Sequence, residues 1–179
     1  MPQALCQLDR SDTLSGLGFG EMFGSQSVEN VNEISIVNVV KVRPSLKCDI
    51  AAFDWWVMNG DRTLSDAGGN PNLLWSDKTE ELFVIDHNLA FDETVTLNSQ
   101  IESHIFSTQL SEICASKVLQ HHYAQRFAEA LSALPEIIRG IPERWYYADE
   151  HHTIDNGFPI DRVEMTLQRY AEPTFWKRT

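Results

Sequence analysis

Asp61, Asn70, Asn72 and Asp86 are the residues of this chain whose types and order could do chemistry together. One aspartate can orient a hydroxyl and take its proton. An asparagine a few residues on, and a second aspartate at the end of a strand, offer hard oxygen ligands. Mg²⁺ prefers such ligands and keeps several waters, so two or three side chains suffice to hold it. A set of this kind suits phosphoryl transfer, in which the protein orients the acceptor hydroxyl and neutralises phosphate charge.

The elements that must position these residues lie in the stretch from Phe53 to Phe91, FDWWVMNGDRTLSDAGGNPNLLWSDKTEELFVIDHNLAF. Arg43-Pro44-Ser45 punctuates the chain, because proline disfavours helix in the residue before it. Ser45 is the expected cap of a helix from Leu46 to Asn59. Ile50, Phe53, Val57 and either Trp55 or Trp56 form its inward face. Consecutive tryptophans cannot point to one side, so one is expected under the following loop and the other at an interface. Asn59-Gly60-Asp61-Arg62 breaks the helix, and a Gly/Ser/Asp loop follows. Asn70 to Trp75 and Leu82 to Ile85 then read as two short antiparallel strands that bring Asp86 back to the loop. Asp-Arg and Asn-Pro-Asn are ordinary turn dipeptides when isolated. Their ordered combination is the specific signal.

Outside that stretch the chain reads mainly helical. Val28 to Val42 has mixed apolar spacing, and its length favours a helix. Asp92 to Ser99 is a polar crossover and Ile101 to Phe106 a short helix. A long helix is expected from Leu110 to Leu134, with Ile113, Val118, Leu119, Tyr123, Phe127, Ala130 and Leu131 as its stripe. Pro135 restarts a helix that Gly140 closes, and Pro142 to Trp145 starts a short segment. Asp149 to Gly157 is a polar loop. Phe158 to Ala171 is a last helix with Ile160, Val163, Leu167 and Tyr170 on one face, and Pro173 stops it. The expected fold is mainly α with a small antiparallel β-hairpin. It forms a single domain over 1–179, with an irregular segment at 1–27, the site region at 53–91 and a helical tail at 100–179.

Composition excludes several function classes. The chain has 26 acidic and 14 basic residues, a net charge of −12. That balance gives no basic stripe for nucleic acid and no attraction to an anionic membrane. No apolar run approaches the roughly 18–20 residues of a spanning helix, and Met1 to Leu14 lacks the apolar core of a signal peptide. Cys6, Cys48 and Cys114 are odd in number and widely spaced, which fits free thiols in a reducing, cytoplasmic setting. The pairs His121-His122 and His151-His152 lack zinc-ligand spacing and read as surface residues. Gly16 to Gly20 and Lys41 tempt a nucleotide-loop reading. Lys41, however, lies only 20 residues before Asp61, far too few for the lobe that separates such a lysine from a catalytic loop. No nucleophile elbow or Cys/His pairing is readable.

The run NGDR…NPNLLW…LFVIDHNLAF resembles the HipA-like kinase family, whose members read N-x-D-R, a short spacer, N-P-N-L-L and a strand ending I-D-H. The likeness continues through Leu134-Pro135-Glu136-Ile137-Ile138, Ile141-Pro142-Glu143-Arg144-Trp145 and Arg169. The resemblance implies the helical C-lobe of a protein-kinase-like fold, ATP and Mg²⁺ as cofactors, and a protein Ser/Thr acceptor. It makes Asp61 the catalytic base and Asp86 the metal-binding aspartate. The family's interval favours Asn70 as the metal amide, whereas the following Leu-Leu favours Asn72. Asn59, Arg62 and His87 are supporting positions. His87 is expected either to orient the loop by bonding the backbone or the catalytic aspartate, or only to pack. Arg62 contacts a phosphate or, the favoured reading, pairs with Asp54 or Asp66. The spacer from Leu64 to Gly69 is longer than the family's. The phosphate-covering N-lobe is expected upstream of Met1, which implies an N-lobe subunit or other protein partner, or a homodimer, in a toxin–antitoxin setting. The competing expectation is a pseudokinase-like, non-catalytic binding or assembly module.

Overall fold

The computed structural model describes residues 21–65, 68–149 and 151–178. The glycine cluster Gly16 to Gly20, Cys6 and Asp66 lie outside them. The chain is mainly helical with one small antiparallel sheet, and no described helix is long and apolar enough to cross a membrane. It divides into two compact units. Asn30–Gly140 with Gly157–Thr179 forms the larger, and Met1–Glu29 with Ile141–Asn156 the smaller.

The larger unit opens with strand β1 (Asn32–Glu33) and a one-turn helix α1 (Ile36–Val39). The helix expected over Val28 to Val42 is therefore not formed. Its apolar residues share no single face: Ile34 and Val42 are buried, while Val37 and Val40 face solvent. Pairing with a neighbouring strand outweighs a helical pattern this irregular. Helix α2 (Pro44–Trp56) begins two residues earlier than expected. Pro44 stands at its first position and Arg43 at its N-cap, so Ser45 is not the cap. Proline fits there because its missing N–H has no intrahelical partner to lose.

The end of α2 sets up the loop that follows. Met58 has φ 53°, the left-handed conformation, and Asn59 N–H donates to the Asp54 carbonyl at 2.8 Å. Met58 N–H reaches the Trp55 carbonyl at 3.3 Å. These two bonds make a Schellman closure with methionine where glycine is usual. Strand β2 (Leu73–Ser76) and strand β3 (Glu81–Val84) then form the expected hairpin, with Leu73 opposite Val84 and Ser76 opposite Glu81. β1 pairs on the other side of β2, so the sheet has three strands in the order β1-β2-β3.

Helices α3 (Leu97–Ser103), α4 (Ser107–Ala115), α5 (Lys117–Ser132) and α6 (Leu134–Gly140) follow. α3 starts within the expected polar crossover, because Thr96 and Ser99 cap each other's backbone N–H reciprocally. The long helix expected from Leu110 to Leu134 is broken at Ser116, whose hydroxyl accepts from Leu119 N–H and caps α5. Val118 faces solvent instead of joining the stripe, whereas Tyr123 and Phe127 are buried. α7 (Ile160–Gln168) continues into a single 3₁₀ turn, Arg169–Ala171.

Both tryptophans of α2 are buried, contrary to the expected one-in, one-out arrangement. Trp55 and Trp56 point to different sides: the tail after α7 covers Trp55, and α5 with the end of α7 covers Trp56. Trp56 stacks on Phe127 at 4.4 Å, and its indole N–H donates to the Leu167 carbonyl at 2.8 Å. Trp55 packs on Phe175 at 5.4 Å and donates to the Phe175 carbonyl at 3.1 Å. Each indole thus gains a partner for its one donor, as burial requires. Phe53, expected inside, is half exposed and meets His87 edge-on at 5.4 Å.

In the smaller unit Trp145, within the 3₁₀ turn Glu143–Tyr146, donates to the Glu21 carbonyl at 3.0 Å. The loop expected from Asp149 is organised by that residue. Its carboxylate accepts from the N–H groups of Ile154, Thr153 and His151, and these bonds pull its pKa down to about 2.

Candidate functional site

The loop after α2 carries Asp61, and its two carboxylate oxygens have different surroundings. Oδ2 accepts from the Asn72 side-chain amide at 2.9 Å and from that of Asn70 at 3.2 Å. Oδ1 is buried and has no hydrogen-bond partner among the described residues. Thr63 N–H donates to the Asn70 carbonyl at 3.0 Å, which folds the longer spacer back on the loop. Gly60 is needed here for space, since a Cβ on it would lie 2.6 Å from Val95 Cγ2.

The two asparagines, left open by the sequence, are not equivalent. Asn70 is exposed, whereas Asn72 is buried, has φ 47° and immediately precedes β2. The Asn72 carbonyl accepts from Ile85 N–H at 3.1 Å, one step beyond the Leu73–Val84 pair. That bond sets Asn72 beside the residue that delivers Asp86. Asp86 is exposed, has φ 52° and accepts from Asn88 N–H at 3.3 Å. Non-glycine residues in the left-handed region cluster at sites where the backbone is held against its preference.

Arg62 ties these pieces together from below. It is fully buried, and Nε donates to Asp54 Oδ2 at 2.6 Å. Nη1 donates to the Asn72 carbonyl at 2.6 Å and the Pro71 carbonyl at 3.1 Å, and lies 3.4 Å from the Ile85 carbonyl. Arg62 therefore pairs with Asp54, one of the partners expected for it. His87 Nε2 meets Arg62 Nη2 at 3.0 Å, and among the described residues its ring bonds neither the backbone nor Asp61, the partners expected for it. A guanidinium already fixed at that height is the nearer donor. Asn59 is buried, with its amide on Asp54 Oδ1 at 3.0 Å, and supports the loop without reaching Asp61. Gln100 of α3 donates to the Asn59 carbonyl at 2.6 Å.

Asp54 and His104 escaped the sequence reading as site residues. His104 Nε2 lies 2.9 Å from Asp54 Oδ2, and both side chains are buried. The signal was present in AAFDWWVM: a lone carboxylate in an apolar helix must find partners, because burying an unpaired charge is costly. Burial alone would raise the Asp54 pKa. The His104 hydrogen bond and the Arg62 charge outweigh it and hold the carboxyl below its ordinary value. Burial, with the Arg62 charge beside it, holds His87 below its ordinary value against the pull of Asp54, Asp61 and Asp86. His121, His122, His151 and His152 are exposed.

The donor set fits a hard cation in type. It offers two carboxylates and two amides whose oxygens accept no hydrogen bond among the described residues, and Asp61 Oδ1 is an acceptor still lacking a partner. Magnesium binds through few protein oxygens and retains water. Among the described residues no group of three or more His, Cys, Asp or Glu could hold a metal, so amides are part of any such site.

A helix closed by a left-handed turn, a loop aspartate, an amide at a strand's start and a second aspartate beyond its partner strand follow one another along the chain in that order. A family model described as HipA-like kinase matches residues 1–179, the whole chain, and the chain belongs to that family. Neither the curated proteins nor the solved structures give a match.

Proposed function

We propose that the chain is the catalytic, helical lobe of an ATP- and Mg²⁺-dependent phosphotransferase that acts on a protein Ser/Thr hydroxyl in the cytoplasm. The family supports a kinase-type activity. The observation that carries the finer reading is the linkage from Asp61 through the Asn72 amide, and from the Asn72 carbonyl to Ile85, the neighbour of Asp86. Asp86 and Asn72 are the residues that would hold the metal, and Asn70 is the secondary amide. Bound magnesium would neutralise charge on the transferring phosphate. Asp61 would orient the acceptor hydroxyl and take its proton. The phosphate-covering half of the site is supplied by an N-lobe segment or subunit.

A second reading, a non-catalytic binding or assembly module that forms homodimers or takes a protein partner, draws on one observation. Asp61 is covered on one oxygen by two amides and buried at the other, as a retired base would be.

Titration of the chain with MgATP, and with Mn²⁺ alone, tests the first reading. Metal-dependent nucleotide binding that Asp86→Ala and Asn72→Ala abolish, and Asn70→Ala weakens only a few-fold, is the expected result. No binding at millimolar nucleotide, with or without metal, would leave the module reading alone.

A further inference from the structure

We infer that Asp54 is a positioning residue for the loop and strand ends of this site, acting through Arg62 and anchored by His104. The inference rests on the phosphotransferase reading only for what the positioned groups do. Asp54 contacts none of the groups assigned to substrate or metal. It acts on them because a guanidinium is planar and rigid, so fixing one nitrogen aims the other two.

The hydrogen-bond inventory fixes both imidazoles. Phe106 N–H can only donate, and it lies 3.0 Å from His104 Nδ1. His104 therefore carries its proton on Nε2 and donates it to Asp54 Oδ2 at 2.9 Å. Arg62 can only donate, and its Nη2 lies 3.0 Å from His87 Nε2. His87 therefore carries its proton on Nδ1. The two histidines hold opposite tautomers, one set by the Phe106 N–H together with Asp54 and the other by the arginine that Asp54 orients. Asp54 also accepts from Asn59 at 3.0 Å and from Arg62 Nε at 2.6 Å, so helix, loop and α3 side meet on one carboxylate. Once Nε is seated there, Nη1 is aimed at the Pro71 and Asn72 carbonyls and Nη2 at His87. The alignment of Asn72 with the Ile85–His87 turn thus depends on a side chain outside the chemistry.

The test is long-range ¹H–¹⁵N spectroscopy of the histidines in the full chain, with Mn²⁺ titration alongside. Wild type should show Nε2–H for His104 and Nδ1–H for His87. Asp54→Asn should remain folded by circular dichroism, release His87 into a tautomer mixture, shift the Asn72 and Ile85 amides, and weaken Mn²⁺ about tenfold or more. Asp54→Glu should restore part of the affinity. If Asp54→Asn does not fold, Arg62→Lys serves: it keeps the charge opposite Asp54, loses the fork, and should release His87 while His104 stays Nε2–H. A folded variant of either kind with unmoved His87, Asn72 and Ile85 signals would overturn the positioning role. Asp86→Asn should lose Mn²⁺ with both tautomers intact. Wild type that never binds Mn²⁺ would sink the phosphotransferase reading and leave the tautomer result to decide this one.

Discussion

Arg62→Met gives the sharpest stability test. Arg62 and Asp54 are both fully buried, with the ion pair at 2.6 Å. The substitution keeps most of the side-chain volume but removes the charge and every donor. Asp54 keeps His104 and Asn59, the Asn72 carbonyl keeps Ile85 N–H, and the Pro71 carbonyl loses its Arg62 donor. Removing one partner of a buried pair costs about 3–5 kcal/mol, and a buried carbonyl left dry adds about 1–3 kcal/mol. These contributions overlap, so about 4–6 kcal/mol is expected. That approaches the whole stability of a small domain, about 5–15 kcal/mol. In urea, with a slope of about 2 kcal/mol per molar, the midpoint should fall by roughly 2–3 M at unchanged slope. Arg162→Met is the control. Its pair with Glu93 spans 3.2 Å between half-exposed side chains, and its loss should cost under about 1 kcal/mol. A shift for Arg62→Met no larger than the control's would refute the account of Arg62 as the buried tie of the site.

Stability should also depend on acid through Asp54. Its folded pKa lies below its ordinary value, so its contribution is complete above about pH 4 and is lost as pH falls through the lower folded value; urea midpoints taken from neutral pH to about pH 3 should therefore drop more in wild type than in a folded Asp54→Asn variant. Gly69→Ala should disturb the spacer, because its Cβ would lie 2.8 Å from Leu64 Cα and closer still to the Thr63 carbonyl oxygen, backbone atoms that no rotamer change can clear. Faster amide exchange at Thr63 is the expected readout, whereas Gly140→Ala, which meets nothing within 4 Å, should leave exchange unaltered. Ser116→Ala should cost about 1 kcal/mol in thermal or urea melts by removing the cap of α5, and an unchanged midpoint would deny Ser116 that role.

The parts of this structure legible in the sequence are those written in local chemistry. Asn, Asp, Gly and Pro marked the loop, and the short apolar runs ending Asn70–Trp75 and making up Leu82–Ile85 marked the hairpin. The order of Asp61, the asparagines and Asp86 followed from both. What stayed hidden depended on distant partners. β1 is two residues long and exists because the exposed backbone of β2 takes it up, which no propensity in Asn32–Glu33 signals. Both tryptophans of α2 are buried because Leu167 and Phe175, over a hundred residues on, supply acceptors for their indoles. The break at Ser116 turns on one hydroxyl capping a helix whose apolar stripe looked continuous. Asp54 was visible as an oddity in an apolar helix, but its meaning needed His104 to arrive from α3.

The Asp54 carboxylate also constrains how the chain folds. Its partners come from Asn59, Arg62 and His104, and Arg62 in turn spans Pro71, Asn72 and His87. No subset of these segments can bury the charge without leaving it short of donors, so partial docking is penalised until nearly all have assembled. The loop and the hairpin accordingly belong to one cooperative unit and cannot fray separately at low cost. Amides at Asn59, Thr63 and Ile85 should exchange through the same large-scale opening as the core of α4, rather than through the small fluctuations usual for a surface loop.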